Sequence, residues 1–161
     1  MSPRPVMVLS MLAIACAPPA SEAGSPSQTP QQLPPDVEYL SAPGQESLNL
    51  PFSEAVRVGH MLYLSGQIGN VPGTLQLAAG GIEGETRQTL ENIRTTLERH
   101  GSSMDRVVKC TAMLDDMAEW PAMNEVYAEF FPGPKPARSA LGADGLALGA
   151  KVEIECWATV G

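Results

Sequence analysis

Arg138 and Glu153 are the residues from which chemistry is most readily built. In KPARSALGADGLALGAKVEIECW (135–157), a single guanidinium stands among Ala137, Ser139 and Ala140. Small neighbours leave such a group open, and its planar fork of donors matches a carboxylate bidentately. Glu153 lies fifteen positions on, within a run of strand-like alternation. In a strand, Val152, Ile154, Cys156 and Ala158 share one face, while Glu153, Glu155 and Trp157 share the other. The pattern alone leaves Glu153 either a solvated strand carboxylate or a group facing a ligand or a second subunit. Arg138 alone reads equally well as an interface salt-bridge partner. The stretch suggests one fixed cation and one carboxylate serving a single site.

Little else competes for that role. The 161-residue chain carries a formal net charge of -8, with two histidines and three scattered cysteines. An acidic chain with few Lys and Arg lacks the footprint that displaces counterions from phosphates, which speaks against a nucleic-acid partner. Unpaired cysteine spacing gives neither a disulfide scaffold nor a zinc site, and His60 and His100 are isolated, so no metal or organic cofactor is expected. His100 suits a helix C-terminus.

Positioning these residues falls to the C-terminal three quarters of the chain. MSPRPVMVLSMLAIAC (1–16) has a basic start, a short apolar run and Cys16 after small residues. That is the size of a signal-peptide core rather than a membrane span. Cys16 after LAIA resembles a bacterial lipobox, which implies export to the periplasm and lipid attachment at Cys16; ordinary secretion with removal of Cys16 is the alternative. Residues 17–36 are rich in Pro, Ser and Gln and read as a flexible tether. The domain proper is 37–161.

Within it, strand-like runs occupy 55–58 and 61–65, around a Gly-His turn. Ile82, Thr86, Leu90, Ile93 and Leu97 step by four, four, three and four, which predicts a helix closed by Gly101. A strand over 106–114 follows. A second helix starts near Pro121 and buries Met123, Val126, Tyr127, Phe130 and Phe131 before the Pro-Gly-Pro stop at 132–134. Strands at 137–141 and 151–160 finish the chain. The order predicts an α/β sandwich, one layer of helices on a mixed sheet. Strand parity places Cys110 beside Val108, Ala112 and Leu114, pointing under the helices with Cys156; both are expected as reduced core thiols, a disulfide being the alternative if their strands are neighbours.

The segments PFSEAVRVGHMLYLSGQIG, GGIEGETRQTLENI, VVKCTAMLDDM, MNEVYAEFF, KPARS and KVEIE occur in this order. Together, over residues 50–160, they resemble the RidA family of reactive imine/enamine deaminases. The resemblance implies a chorismate-mutase-like mixed sheet with two helices on one face, assembled as a homotrimer with ligand sites in clefts between subunits. It implies hydrolysis of small 2-imino acids to 2-keto acids and ammonia without metal or cofactor. On this resemblance Arg138 holds the substrate carboxylate and Glu153 positions and deprotonates the attacking water. Ser65 and Asn124 line the pocket, and groups near Gly66 and Ala140 complete it. An imine carbon is already electrophilic once protonated, so orientation plus one base for water is sufficient chemistry.

The chain departs from the family pattern at three places. Phe52 stands where the PYSQA motif supplies a tyrosine hydroxyl, Ala140 follows ARS, and the loop LGADGLALGA is unusually rich in glycine. A second reading is therefore a trimeric small-carboxylate-binding or chaperone-like protein that keeps Arg138 without efficient turnover.

Overall fold

The computed structural model describes residues 36–44 and 50–161. The expected leader over 1–16, with Cys16, and the tether up to residue 35 lie outside the described residues. Among the described residues, no helix is long and apolar enough to cross a membrane.

Seven strands form one sheet: β1 (Val37–Leu40), β2 (Ala55–Val58), β3 (Met61–Leu64), β4 (Gln67–Ile68), β5 (Val107–Leu114), β6 (Ala137–Gly142) and β7 (Val152–Thr159). Their order is β1-β2-β3-β7-β5-β6, with β4 paired to β7 beyond the end of β3. All pairings are antiparallel except β5 with β6. A parallel pair needs a crossover, here supplied by α2 (Trp120–Phe130). With α1 (Gly81–Arg99), it forms the single helical layer.

The stripe predicted for α1 is buried from Ile82 to Leu97. The helix closes as expected at Gly101, whose φ of +79° suits glycine after a helix end, while Ser102 N donates back to the Leu97 carbonyl at 2.8 Å. Pro121 sits in the first turn of α2, and Met123, Val126, Tyr127 and Phe130 are buried. Arg87 of α1 grips Glu129 of α2 with two hydrogen bonds of 2.8 and 3.1 Å. Beneath the helices, Leu62, Ala112, Leu114, Val152, Ile154 and Ala158 are fully buried.

Two expectations are corrected in β5. Val107, not Val108, faces the core: Val107 is 8% exposed and Val108 44%. A register shift between Val107 and Lys109 inserts one extra residue and inverts the parity upstream of it. Cys110 and Cys156 are not separate thiols either. They are direct partners across β5 and β7, with α-carbons 4.2 Å apart, and they form a disulfide buried in the core.

The other face of the sheet has no covering layer among the described residues. Register puts Tyr39, Val56, Tyr63, Trp157, Met113 and Leu141 on it. Tyr39 is 76% exposed, and Tyr63 meets Trp157 edge-to-face with ring centroids 5.2 Å apart.

Candidate active site

The expected site residues fall into two groups on different parts of the sheet. Glu153 lies on β7, on the open face, between Ile68 of β4 and Met113 of β5. It lines a pocket of about 390 Å³ with Phe52, Ser65, Gly66, Ile68 and Ala147. Gly66 gives the carboxylate its place, since a β-carbon there would lie 1.9 Å from Glu153 Oε1. The Ser65 hydroxyl donates to the Ser53 carbonyl at 2.7 Å. Its proton is thus already engaged in holding the Phe52 segment, although its lone pairs remain. Phe52 is 60% exposed at the pocket and brings no hydroxyl. Ile68 and Ala147 were not among the expected site residues. Ile68 was accessible from parity with Gly66, two positions earlier; Ala147 lies in the glycine-rich loop, where no periodicity speaks.

Arg138 and Asn124 make the second group. Arg138 Nη2 donates to Asn124 Oδ1 at 2.5 Å, and the guanidinium carbon stands 4.5 Å from the centre of the Tyr127 ring. Met123 Sδ lies 4.0 Å from Nη1. The stacked ring and the amide hold the side chain while most of its five N–H donors stay available. Among the described residues Arg138 forms no ion pair. Tyr127 was read only as core. Its buried hydroxyl has no hydrogen-bond partner among the described residues, and burial pushes the phenol up to about 12, against the opposing pull of the Arg138 charge. Ala140 follows Arg138 on the same strand face, opposite Ala112.

Arg138 and Glu153 do not meet within one chain. Arg138 pairs with Cys110, which pairs with Cys156, so its side chain belongs to the helix face, opposite that of Glu153. Two strand spacings across and three residues along separate their α-carbons by about 14 Å. A single small molecule cannot touch both in one subunit, so one site that holds both must draw on two subunits. Arg138 and Glu153 lie fifteen positions apart in sequence but on strands either side of β5, because the β6–β7 connection carries the chain over it. Among the described residues no group of three His, Cys, Asp or Glu side chains is placed to hold a metal.

The family described as Endoribonuclease L-PSP matches residues 45–160. The chain belongs to this family, the RidA family. It is 41% identical to the chloroplastic Reactive Intermediate Deaminase A of Arabidopsis thaliana over 68% of its own length and 59% of that protein, less than two thirds of it. It is 40% identical to the 2-iminobutanoate/2-iminopropanoate deaminase of Mus musculus, over 69% of this chain and 82% of the mouse protein. A crystal structure from Entamoeba histolytica, titled as an endoribonuclease of the L-PSP type, superposes with a TM-score of 0.71 at 38% identity, covering 78% of this chain and all of the other. The RidA fold, a mixed sheet with two helices on one face, is thus shared with solved members.

Proposed function

We propose that this RidA protein hydrolyses 2-imino acids, or the enamines in equilibrium with them, to 2-keto acids and ammonia. One observation carries the reading: a stacked guanidinium that forms no ion pair among the described residues, and a carboxylate seated on a glycine, each open at its own part of one sheet. Two copies joined edge to face bring the Arg138 group of one subunit to the Glu153 pocket of the next. The row Tyr39, Val56, Tyr63 and Trp157 on the open face supports such an assembly, because adjoining aromatic and aliphatic side chains are costly to leave in water. A closed homotrimer with three equivalent sites satisfies both requirements.

In such a site the Arg138 fork holds the substrate carboxylate and fixes the imine carbon over the pocket. Glu153 takes a proton from water as its oxygen adds to the protonated imine carbon. The nitrogen then accepts a proton, the carbon–nitrogen bond breaks, and ammonia leaves as the keto group forms. Asn124 holds Arg138, and Gly66 keeps Glu153 at the pocket floor. The leader over 1–16 supports an exported protein, with Cys16 as the point of lipid attachment.

Phe52 favours a second reading, a carboxylate-binding assembly without efficient turnover, since it removes a hydroxyl beside Glu153. Imines generated in situ by an amino-acid oxidase decide between the two. The deaminase accelerates ammonia and keto-acid release above the spontaneous rate. Arg138→Ala removes both turnover and carboxylate binding, and Glu153→Gln lowers turnover by roughly a hundredfold while binding persists. Keto-acid binding without any acceleration establishes the second reading instead.

A further inference from the structure

Outside both groups, the most heavily engaged ionic side chain among the described residues is Glu54, between the Phe52 segment and β2. Its side chain is only 10% exposed. Oε2 meets His100 Nε2 at 2.8 Å, and Oε1 accepts from Thr96 Oγ1 at 3.3 Å and from Arg99 Nη1. All three partners belong to the last turn and cap of α1. The arrangement extends outward, because Arg57 of β2 donates to the His100 carbonyl at 2.9 Å and pairs with Glu38 of β1 at 3.2 Å.

A carboxylate this buried loses hydration and is retained only where several donors replace it. The backbone beside it carries the consequence. The Glu54 carbonyl accepts from Ser65 N at 3.0 Å, and the neighbouring Ser53 carbonyl accepts from the Ser65 hydroxyl. Ser65 precedes Gly66, on which the Glu153 carboxylate rests. One continuous set of contacts therefore runs from the end of α1 through Glu54 to Ser53 and Ser65, and on to the pocket floor. Phe52, on the same segment, forms the pocket wall.

We propose that Glu54 is a positioning residue for the Glu153 pocket: it anchors the 52–54 segment to α1 and so fixes Phe52 and the Ser65–Gly66 floor. The kinetic part of this assignment rests on the deaminase reading above. Glu54 touches no substrate. Its effect falls on the geometry of the water-activating side, not on the Arg138 anchor.

The test compares Glu54→Ala and Glu54→Gln in the full chain. The amide keeps the shape and one acceptor for Thr96 and Arg99, and its NH2 can face a His100 nitrogen in the accepting tautomer. For Glu54→Ala, kcat falls by about tenfold with KM little changed, and Glu54→Gln recovers most of the loss. Amide hydrogen exchange at Ser65 and Gly66 accelerates in the alanine variant and not elsewhere in the sheet. A lowered melting temperature with kcat, KM and Ser65 exchange all unchanged overturns the proposal and leaves Glu54 a stabilising ion pair only. If Glu54→Ala does not fold, Arg99→Gln removes one donor from the same carboxylate; unchanged kcat and Ser65 exchange there overturn it equally. If the wild-type protein shows no deamination, the functional reading fails, and Ser65 exchange alone decides the positioning claim.

Discussion

Glu153 Oε1 occupies the space that a β-carbon on Gly66 would need, at a separation of 1.9 Å. Carbon and oxygen cannot approach so closely, so Gly66→Ala must displace one of them. The carboxylate is the free end of a flexible side chain and gives way more easily than backbone. The variant is therefore expected to fold with nearly native stability while Glu153 swings off the pocket floor. Turnover should fall by roughly tenfold or more, with carboxylate binding through Arg138 retained. Steady-state kinetics alongside thermal melting checks this; turnover equal to wild type would mean that the seat on Gly66 is dispensable.

The hydroxyl of Tyr127, stacked beneath Arg138, gives a prediction at alkaline pH. Burial raises its pKa to about 12, while Arg138 pulls it down. An unfolded tyrosine ionises near 10. The unfolded chain thus releases this proton first, and the stability carried by the neutral phenol is complete below about pH 10 and lost as the pH rises towards 12. Tyr127→Phe should remove one phenolate step from the ultraviolet titration and flatten the pH dependence of unfolding in that window. Arg138→Ala should move the step still higher. A step near pH 10 for all tyrosines in the folded protein would show that the ring is not desolvated.

What could be read in the sequence was what a single segment decides by itself. The 3.6-residue stripe of α1, Pro121 in the first turn of α2 and the alternation of β7 are local patterns, and each is found in the structure. Glu153 was placed on the open face by the parity of its own strand. Arg138 could not be placed that way, because Ala-Arg-Ser-Ala-Leu-Gly in β6 has no apolar alternation to mark a core side; only its pairing with Cys110 does so. The bulge at Val107–Lys109 and the pairing of Cys110 with Cys156 are likewise set by a partner strand 46 residues away. Glu54 was hidden for a different reason: a glutamate in a loop is ordinarily solvated.

The Cys110–Cys156 bridge closes a loop of 46 residues at the centre of the sheet. Chain entropy assigns such a loop an upper value of about 4 kcal/mol. Replacing both cysteines by alanine is therefore expected to cost about 2–4 kcal/mol in denaturant unfolding. Both sulfurs are buried, so thiol reagents should label neither Cys110 nor Cys156 in the native protein, nor after unfolding until a reductant is added, as peptide mapping separates them from Cys16. Two reactive thiols on unfolding alone would show that the bridge is not formed.

The proposed site shared between subunits makes the most demanding prediction, because two inactive proteins should produce an active one. Arg138→Ala keeps an intact Glu153 pocket, and Glu153→Gln keeps an intact Arg138 group. Each homogeneous assembly lacks one half of every site. After unfolding and joint refolding in equal amounts, a site is complete only where the Arg138 group comes from a Glu153→Gln chain and the pocket from an Arg138→Ala chain. Random closed assembly places that combination at about one quarter of the sites, so about a quarter of wild-type activity should return. The double variant, refolded with an equal amount of wild type, should lower activity below simple dilution, from about half to about a quarter of the sites. The same mixture assayed without subunit exchange should stay inactive, which separates reassembly from contamination by native protein. Absence of recovery after verified exchange would place Arg138 and Glu153 in separate sites, and the deamination mechanism would then have to run without one of them.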